Sequence, residues 1–299
     1  MKMTKPFLFT HRPQPRKGAW PSRGFTPSTP RRGEAQRRRL NLQLALKCVA
    51  LALTCLTAFV GCKTNCPATA SSNHQKFTCV IVHGAWGGGW DWKHVDELLT
   101  ADGNTVYRPT LTGLGEHFNL SSTNIDLSTH IQDVVNVILW ENLHDIVLVG
   151  HSYGGMIITG VADRVPDRIK HVIYIDALVP ENGESADMIH VQKTNDPPIM
   201  DGFSIPIWVV GNPPPPHDVP QSAKTFSEPI TLTNQAVAGK LPATYILTVE
   251  KGQPPERDDF YRFYLRAQAR GWPVHIMEGN HIVERSHPNE VARLLEQSP

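Results

Sequence analysis

Between Phe77 and Gln297 the pattern of apolar and polar positions switches period repeatedly. Short apolar runs rich in β-branched residues alternate with longer stretches in which apolar residues recur at helical spacing. Phe77 to Val82 is the first apolar run and predicts a buried strand. Asp91 to Ala101 follows at helical spacing, then a short strand at Thr105 to Arg108. Ile125 to Asn142 is helical, with Ser128 or Thr129 near its start. Val147-Leu148-Val149 is a continuous β-branched run, and Met156, Ile157, Ile158, Val161 and Ala162 give an apolar helix just after it. His171 to Asp176 and Tyr245 to Val249 predict two more strands. A helix from about Arg257 to Ala269, a last strand at Pro273 to Met277 and a final helix at Asn289 to Gln297 complete the series. Strands alternating with helices predict a parallel sheet covered on both faces.

The alternation stops between Pro180 and Lys240. This segment is Pro-rich, with Pro213-Pro214-Pro215-Pro216 at its centre, and it interrupts two sheet strands. It reads as a cap or lid over residues 180–240, with Met188, Ile189, Phe203, Ile205 and Trp208 supplying apolar surface. The alternative is a disordered insertion. In an ordered cap the proline run would be a stiff polyproline II segment.

Ahead of the alternating region the composition is different. Residues 1–39 are rich in Arg, Pro, Gly and Ser and cannot bury a core. Cys48 to Val60 is apolar and uncharged, shorter than the roughly 20 residues of a membrane span and close to a signal-peptide apolar region. Gly61-Cys62 then resembles a bacterial lipobox, although Phe59 fits its usual leucine poorly. A lipoprotein signal, an ordinary secretory signal or uncleaved anchor, and a start assigned too early all compete. Each excludes residues 1–61 from the fold and leaves 62–75 as a polar tether and 76–299 as one domain. The expected location is therefore exported: periplasmic, secreted, or membrane-anchored through Cys62.

Charge sharpens the division. Residues 1–47 hold twelve of the 29 lysines and arginines but one of the 28 acids, leaving 17 basic and 27 acidic residues beyond them. The basic character belongs to the leader, so the body gives no argument for nucleic-acid binding. The cysteines at 48, 55, 62, 66 and 79 have no zinc-site spacing, and no metal or cofactor is implied. A Cys66–Cys79 disulfide and an inert buried Cys79 are both open, the second favoured.

The candidate chemistry begins at Gly150-His151-Ser152-Tyr153-Gly154. Strand, Gly-x-Ser-x-Gly turn and helix is the setting in which a serine is lifted above a sheet as a nucleophile. Side chains at the two glycines would collide with the turn. A serine hydroxyl needs a base, and the base an orienting acid. Of fourteen histidines, His281 lies directly after the last strand, where sheet order returns the chain to Ser152. His287 precedes Pro288 and reads as a helix-start residue, and His151 should point away from its neighbour. The glycine-rich loop His83 to Trp90 follows the first strand, where an oxyanion donor is expected, and it lacks dinucleotide-site spacing. His83 reads as a structural hydrogen-bonder. Trp86, Trp90 and Trp92 read as packing residues, with Trp86 also a candidate pocket wall.

These motifs together resemble the α/β-hydrolase superfamily: His83-Gly84-Ala85 with the following Gly-Gly-Trp, Val149 to Met156, and Gly279-Asn280-His281. The resemblance runs from about Phe77 to Leu295 and narrows to small bacterial esterases related to plant salicylate-type methyl esterases and hydroxynitrile lyases. It implies an α/β-hydrolase fold, a Ser152–His281–acid triad, and an oxyanion hole from the Ala85 and Tyr153 amides. The lyases carry a lysine after the histidine and an acid before the serine, where this chain has Ile282 and His151. A dehalogenase would need a carboxylate at position 152. The implied function is hydrolysis of a small, partly apolar ester; the alternative is a receptor or signalling protein of the same fold. The acid is the open position. The plant esterases place an aspartate after the strand matching Tyr245 to Val249, where this chain reads Glu250-Lys251-Gly252-Gln253. Other α/β-hydrolases place it at the end of the strand after the serine, here Asp176. Asp176 is preferred and Glu250 is its rival, while Asp258 and Asp259 lie too far into the next helix.

Overall fold

A computed structural model describes residues 75–190 and 197–298. The predicted leader, the Cys62 tether and Cys66 lie outside these residues. In chain order the elements up to the cap are β1 (Thr78–Val82), α1 (Lys93–Ala101), β2 (Thr105–Tyr107), α2 (Leu127–Trp140), β3 (Ile146–His151), α3 (Gly154–Arg164) and β4 (Ile169–Ile175). The cap holds α4 (Ala186–Ile189), β5 (Ile199–Met200), β6 (Phe203–Ser204), β7 (Gln221–Ser222), α5 (Lys224–Ser227) and α6 (Gln235–Ala238). The chain then returns through β8 (Ala243–Val249), α7 (Tyr261–Ala269), β9 (Val274–Glu278), α8 (Val283–Ser286) and α9 (Pro288–Gln297).

Among the described residues six strands form one sheet in the order β2-β1-β3-β4-β8-β9, every pair parallel. Period-2 alternation along the strands divides the core in two. Val80, Val82, Leu148, Tyr174, Tyr245 and Leu247 face α2, α3 and α7, packing with Ile131, Ile157 and Phe263. Cys79, Ile81, Val147, Val149, Ile173 and Ile246 face the other way, onto Val95 and Leu99 of α1 and Val291 and Leu295 of α9. Each central strand is buried on both faces, which is why its sequence is a continuous β-branched run. Truncating Ile173, which has no exposed surface, to alanine should cost about 2–5 kcal/mol.

Element boundaries differ from expectation where a side chain or proline intervenes. α2 starts at Leu127 rather than Ile125, with Asp126 as its cap: the carboxylate accepts from the Thr129 N–H at 2.8 Å. α7 starts at Tyr261 rather than Arg257, because Pro254 and Pro255 lead into a separate 3₁₀ turn at Pro255–Arg257. The described cap is folded, with β5, β6 and β7 in a small antiparallel sheet. Its four prolines do not continue as one polyproline II run, since Pro215 and Pro216 lie in a bend. Cys79 is free and buried, with its thiol pushed up by burial.

From β1 the chain steps outward to β2, then crosses back to β3 and onward to β9. The order reverses between β1 and β3. A crevice at the C-terminal strand ends is the expected ligand position in such a sheet. The loops after β1, β3, β4 and β9 carry Ala85, Ser152, Asp176 and His281 respectively.

Candidate active site

Ser152 has φ +54°, a left-handed conformation that costs an L-residue roughly 1–2 kcal/mol. Neighbouring chain holds it there. Its N–H donates to the Ile175 carbonyl at 3.3 Å, and its carbonyl accepts from the Gly155 and Leu178 amides at 3.1 and 3.0 Å. The two motif glycines are needed for close approach. A Cβ on Gly150 would lie 2.8 Å from the Gly154 carbonyl oxygen, and one on Gly154 would lie 2.6 Å from that of Val82. α3 begins two residues after the serine, so its N-terminal amides favour negative charge developing there.

The structure brings Ser152, His281 and Asp176 together. Ser152 Oγ lies 2.9 Å from His281 Nε2, and His281 Nδ1 lies 2.6 Å from Asp176 Oδ2. Asp176 is 1% exposed, and its other oxygen accepts the Thr248 N–H at 3.1 Å. With Nδ1–H donated to the carboxylate, Nε2 carries a lone pair that can accept a hydrogen bond from the Ser152 hydroxyl. Glu250 is not at this position. It is exposed on the turn after β8, in a separate cavity of about 340 Å³ that borders the ring from another side, and Asp176 already occupies Nδ1.

His281 is fixed on both ring faces. Phe260 stacks on it at 4.7 Å and 12°, and His151 lies 4.7 Å away, tilted by 38°. His151 points away from the serine hydroxyl as expected, and its Nε2–H donates to the His281 carbonyl at 2.7 Å. Burial disfavours the charged form of His281, but the hydrogen bond and charge of Asp176, with Glu284 and Asp258, outweigh it and raise its pKa above the ordinary imidazole value. His151 goes the other way: burial and the His281 charge lower it to about 3. His83 also stays neutral, lowered by burial to about 4, with Nδ1–H donating to the Gly84 carbonyl at 2.7 Å and Nε2 accepting the Leu111 N–H at 3.1 Å. That is the structural role its sequence position suggests.

Ala85 and Tyr153 border a cavity of about 400 Å³ that Ser152 and His281 also line. Trp86, Leu178, Ile199, Trp208, Phe226 and Phe260 give it largely apolar walls, and the volume suits a small ligand. Trp86 is both packing residue and wall: Trp208 meets it edge-on at 5.0 Å and Phe226 packs at 5.5 Å. Trp92 is fully buried, and Trp90 lies under the Arg285 guanidinium at 4.5 Å. His287 precedes α9 as its N-cap residue. Among the described residues no cluster of His, Cys, Asp and Glu suits a metal ion, and no helix is long and apolar enough to cross a membrane.

Sequence reading missed three neighbours of the site. Phe260 sits at a helix start whose period gives no hint of ring stacking. The Thr248 contribution is a backbone N–H, which no side-chain pattern reveals. Gln221 lies in the Pro-rich cap, where no periodicity exists to read. It accepts the Trp86 N–H at 2.7 Å.

A six-stranded parallel sheet, a serine on a sharp strand-to-helix turn and a histidine returned from the last strand define an α/β-hydrolase. The chain belongs to the alpha/beta hydrolase family, whose model matches residues 79–294. Its relatives include a carbendazim hydrolyzing esterase from Nocardioides sp. (strain SG-4G), 37% identical over 239 residues, with 72% of this chain and 97% of that protein covered. Methylesterase 2 from Arabidopsis thaliana is 31% identical over 121 residues, 40% of this chain and 46% of that one. An extracellular alpha/beta-hydrolase from a Paenibacillus species, described as a structural and functional homologue of tobacco salicylic acid binding protein 2, shares the fold with a TM-score of 0.57. It is 23% identical, with 74% of this chain and 98% of that chain covered.

Proposed function

We propose that this α/β-hydrolase cleaves small, partly apolar carboxylic esters through an acyl-Ser152 intermediate. The observation that carries the reading is the hydrogen-bonded line Ser152–His281–Asp176, at 2.9 and 2.6 Å, opening onto the apolar cavity. His281 Nε2 takes the serine proton as Oγ attacks the ester carbonyl. The Ala85 and Tyr153 amides stabilise the oxyanion, each worth about 10²–10³ in rate. The tetrahedral intermediate collapses, His281 returns the proton to the leaving alkoxide, and an alcohol departs. His281 then deprotonates a water that attacks the acyl carbonyl, the acid leaves, and Ser152 regains its proton. Asp176 stays ionised throughout, holding the Nδ1–H tautomer and stabilising the imidazolium.

Ile282 and His151, which replace the lysine and acid of the lyases the chain resembles, favour hydrolysis over cyanohydrin cleavage. The esterase relatives support the same class. Carbendazim and short p-nitrophenyl esters are the first substrates to try. Turnover of p-nitrophenyl butyrate by the wild type and its loss in Ser152→Ala test the proposal; equal rates would refute it.

The proposed location rests on the leader sequence alone. An exported domain tethered by lipidated Cys62 predicts that Cys62→Ser changes partitioning into detergent. Unchanged partitioning of a full-length chain would remove that reading without touching the enzymatic one.

A further inference from the structure

Trp86 has φ +61°, a left-handed backbone that an L-residue keeps only when its surroundings hold it. It follows Ala85 directly, so the peptide unit that joins the two residues, 85–86, borders the Ala85 backbone on one side. Two cap groups fix it. The Trp86 N–H donates to Gln221 Oε1 at 2.7 Å across 135 residues of sequence, and the Trp86 carbonyl accepts from the Val219 N–H at 2.9 Å.

Gln221 is itself tightly held. It is 1% exposed, its Nε2 donates to Thr225 Oγ1 at 2.8 Å, and that hydroxyl donates to the Ser222 carbonyl at 2.7 Å. Burying a side-chain amide is unfavourable unless its hydrogen bonds are made, and an apolar side chain would fill the space at lower cost. The amide is therefore informative. Its oxygen meets a backbone N–H beside the reaction site, and its nitrogen is anchored to the cap. Phe226, just beyond, packs against both Trp86 at 5.5 Å and Tyr153 at 5.3 Å. Residues 219–226 thus brace the chain at both oxyanion-hole residues.

We propose that Gln221 is a positioning residue for the oxyanion hole. By accepting the Trp86 N–H it pins the 85–86 peptide unit and, through the Ala85 backbone, steadies the N–H one unit upstream that meets the carbonyl attacked by Ser152. The cap then does more than enclose substrate: it sets the geometry of transition-state stabilisation. This inference rests on the ester-hydrolase reading, with Ala85 and Tyr153 as donors.

The test compares Gln221→Leu and Gln221→Glu on p-nitrophenyl butyrate. A trifluoromethyl ketone serves as a probe whose tetrahedral Ser152 adduct carries an oxyanion, and a fluorophosphonate counts active sites. Gln221→Leu should lower kcat per active site about 10–100-fold while KM moves less than about threefold, and should weaken the ketone by a similar factor to kcat/KM. Gln221→Glu keeps an acceptor for the Trp86 N–H and should recover kcat to within about fivefold of wild type. A merely structural role lowers Tm and the count of active sites but leaves kcat per site and ketone affinity unchanged; that result overturns the proposal. If Gln221→Leu does not fold, Thr225→Val loosens the same amide from its other end. It should lower kcat about threefold or more at constant KM, and wild-type kcat in that variant also overturns the proposal. A wild type that turns over no ester and whose Ser152 is not labelled removes the hydrolase reading and this inference with it. An active wild type with an indifferent Gln221 removes the inference alone.

Discussion

Two neighbouring strand ends each offer a carboxylate to His281, and the contrast between them explains the site. β4 ends in Asp176, 1% exposed, with φ +44° and an oxygen 2.6 Å from His281 Nδ1. β8 ends at Val249 and is followed by Glu250, exposed at the start of a turn. The strands are paired with Ile175 beside Ile246, so Asp176 leaves the sheet level with Leu247, while β8 runs on to Val249 and Glu250 arises three residues further along. The difference lies in backbone supply. At β4 the chain turns inward, and β8 donates the Thr248 N–H to the second Asp176 oxygen at 3.1 Å. The strand that carries the acid in the plant esterases it resembles here provides a hydrogen-bond donor for an acid one strand away. A buried carboxylate is tolerable only when such partners are present, and Glu250 has solvent instead.

The largest expected effect breaks the line on which both acids would act. Ser152→Ala or His281→Ala should reduce kcat on p-nitrophenyl butyrate on the order of 10⁴–10⁶-fold, with fluorophosphonate labelling lost in the serine variant. Next is pH. His281 must be neutral to accept the serine proton, so kcat/KM should fall as pH drops through its pKa, which Asp176 raises above the ordinary imidazole value of 6.5. Removing the negative charge in Asp176→Asn should move this acid limb of the residual activity to lower pH. Glu250→Gln should leave it in place. A limb that follows Glu250 would reverse the comparison.

Stability gives a smaller test away from the acids. His83, His130 and His151 are buried neutral, with pKa values lowered to about 4, 4 and 3 against 6.5 when unfolded. Between those values these three groups bind protons in the unfolded chain only and lower stability as pH falls from about 6.5 toward 4, while Asp91 and Glu284, raised by burial to about 7, bind protons in the folded chain and oppose them. The histidine share is read as a difference in Tm profiles: relative to wild type, folded His83→Gln should gain stability toward pH 4, by up to about 3 kcal/mol, and parallel profiles would contradict it. The smallest effect is on Phe260→Leu. It removes the ring stacked on His281 but no hydrogen bond, and kcat should change by less than about tenfold.

Positions that follow from chain direction were legible in the sequence. Ser152 sits in a Gly-x-Ser-x-Gly turn between a β-branched strand and an apolar helix, and His281 directly after the last strand, so motif spacing and the period of the flanking elements located both. Asp176 was preferred but not separable from Glu250. Each ends a strand, and which one reaches the histidine depends on the backbone turn at φ +44° and the Thr248 N–H, neither of which is a side-chain property. Asp126 was not singled out as the α2 cap: Asp126, Ser128 and Thr129 are all good caps, and only the backbone fixes the first turn. The cap was the least readable part. Its strands are two residues long, and Gln221 gains meaning only from a contact 135 residues away.

The central claim is that Asp176 orients the histidine that activates Ser152. Its most direct test is kcat of Asp176→Asn and Glu250→Gln on p-nitrophenyl butyrate, with active sites counted by fluorophosphonate and folding checked by Tm. A loss on the order of 10⁴-fold is expected for Asp176→Asn and a change within about twofold for Glu250→Gln. A folded Asp176→Asn enzyme with wild-type kcat, or a comparable collapse in Glu250→Gln, would contradict it.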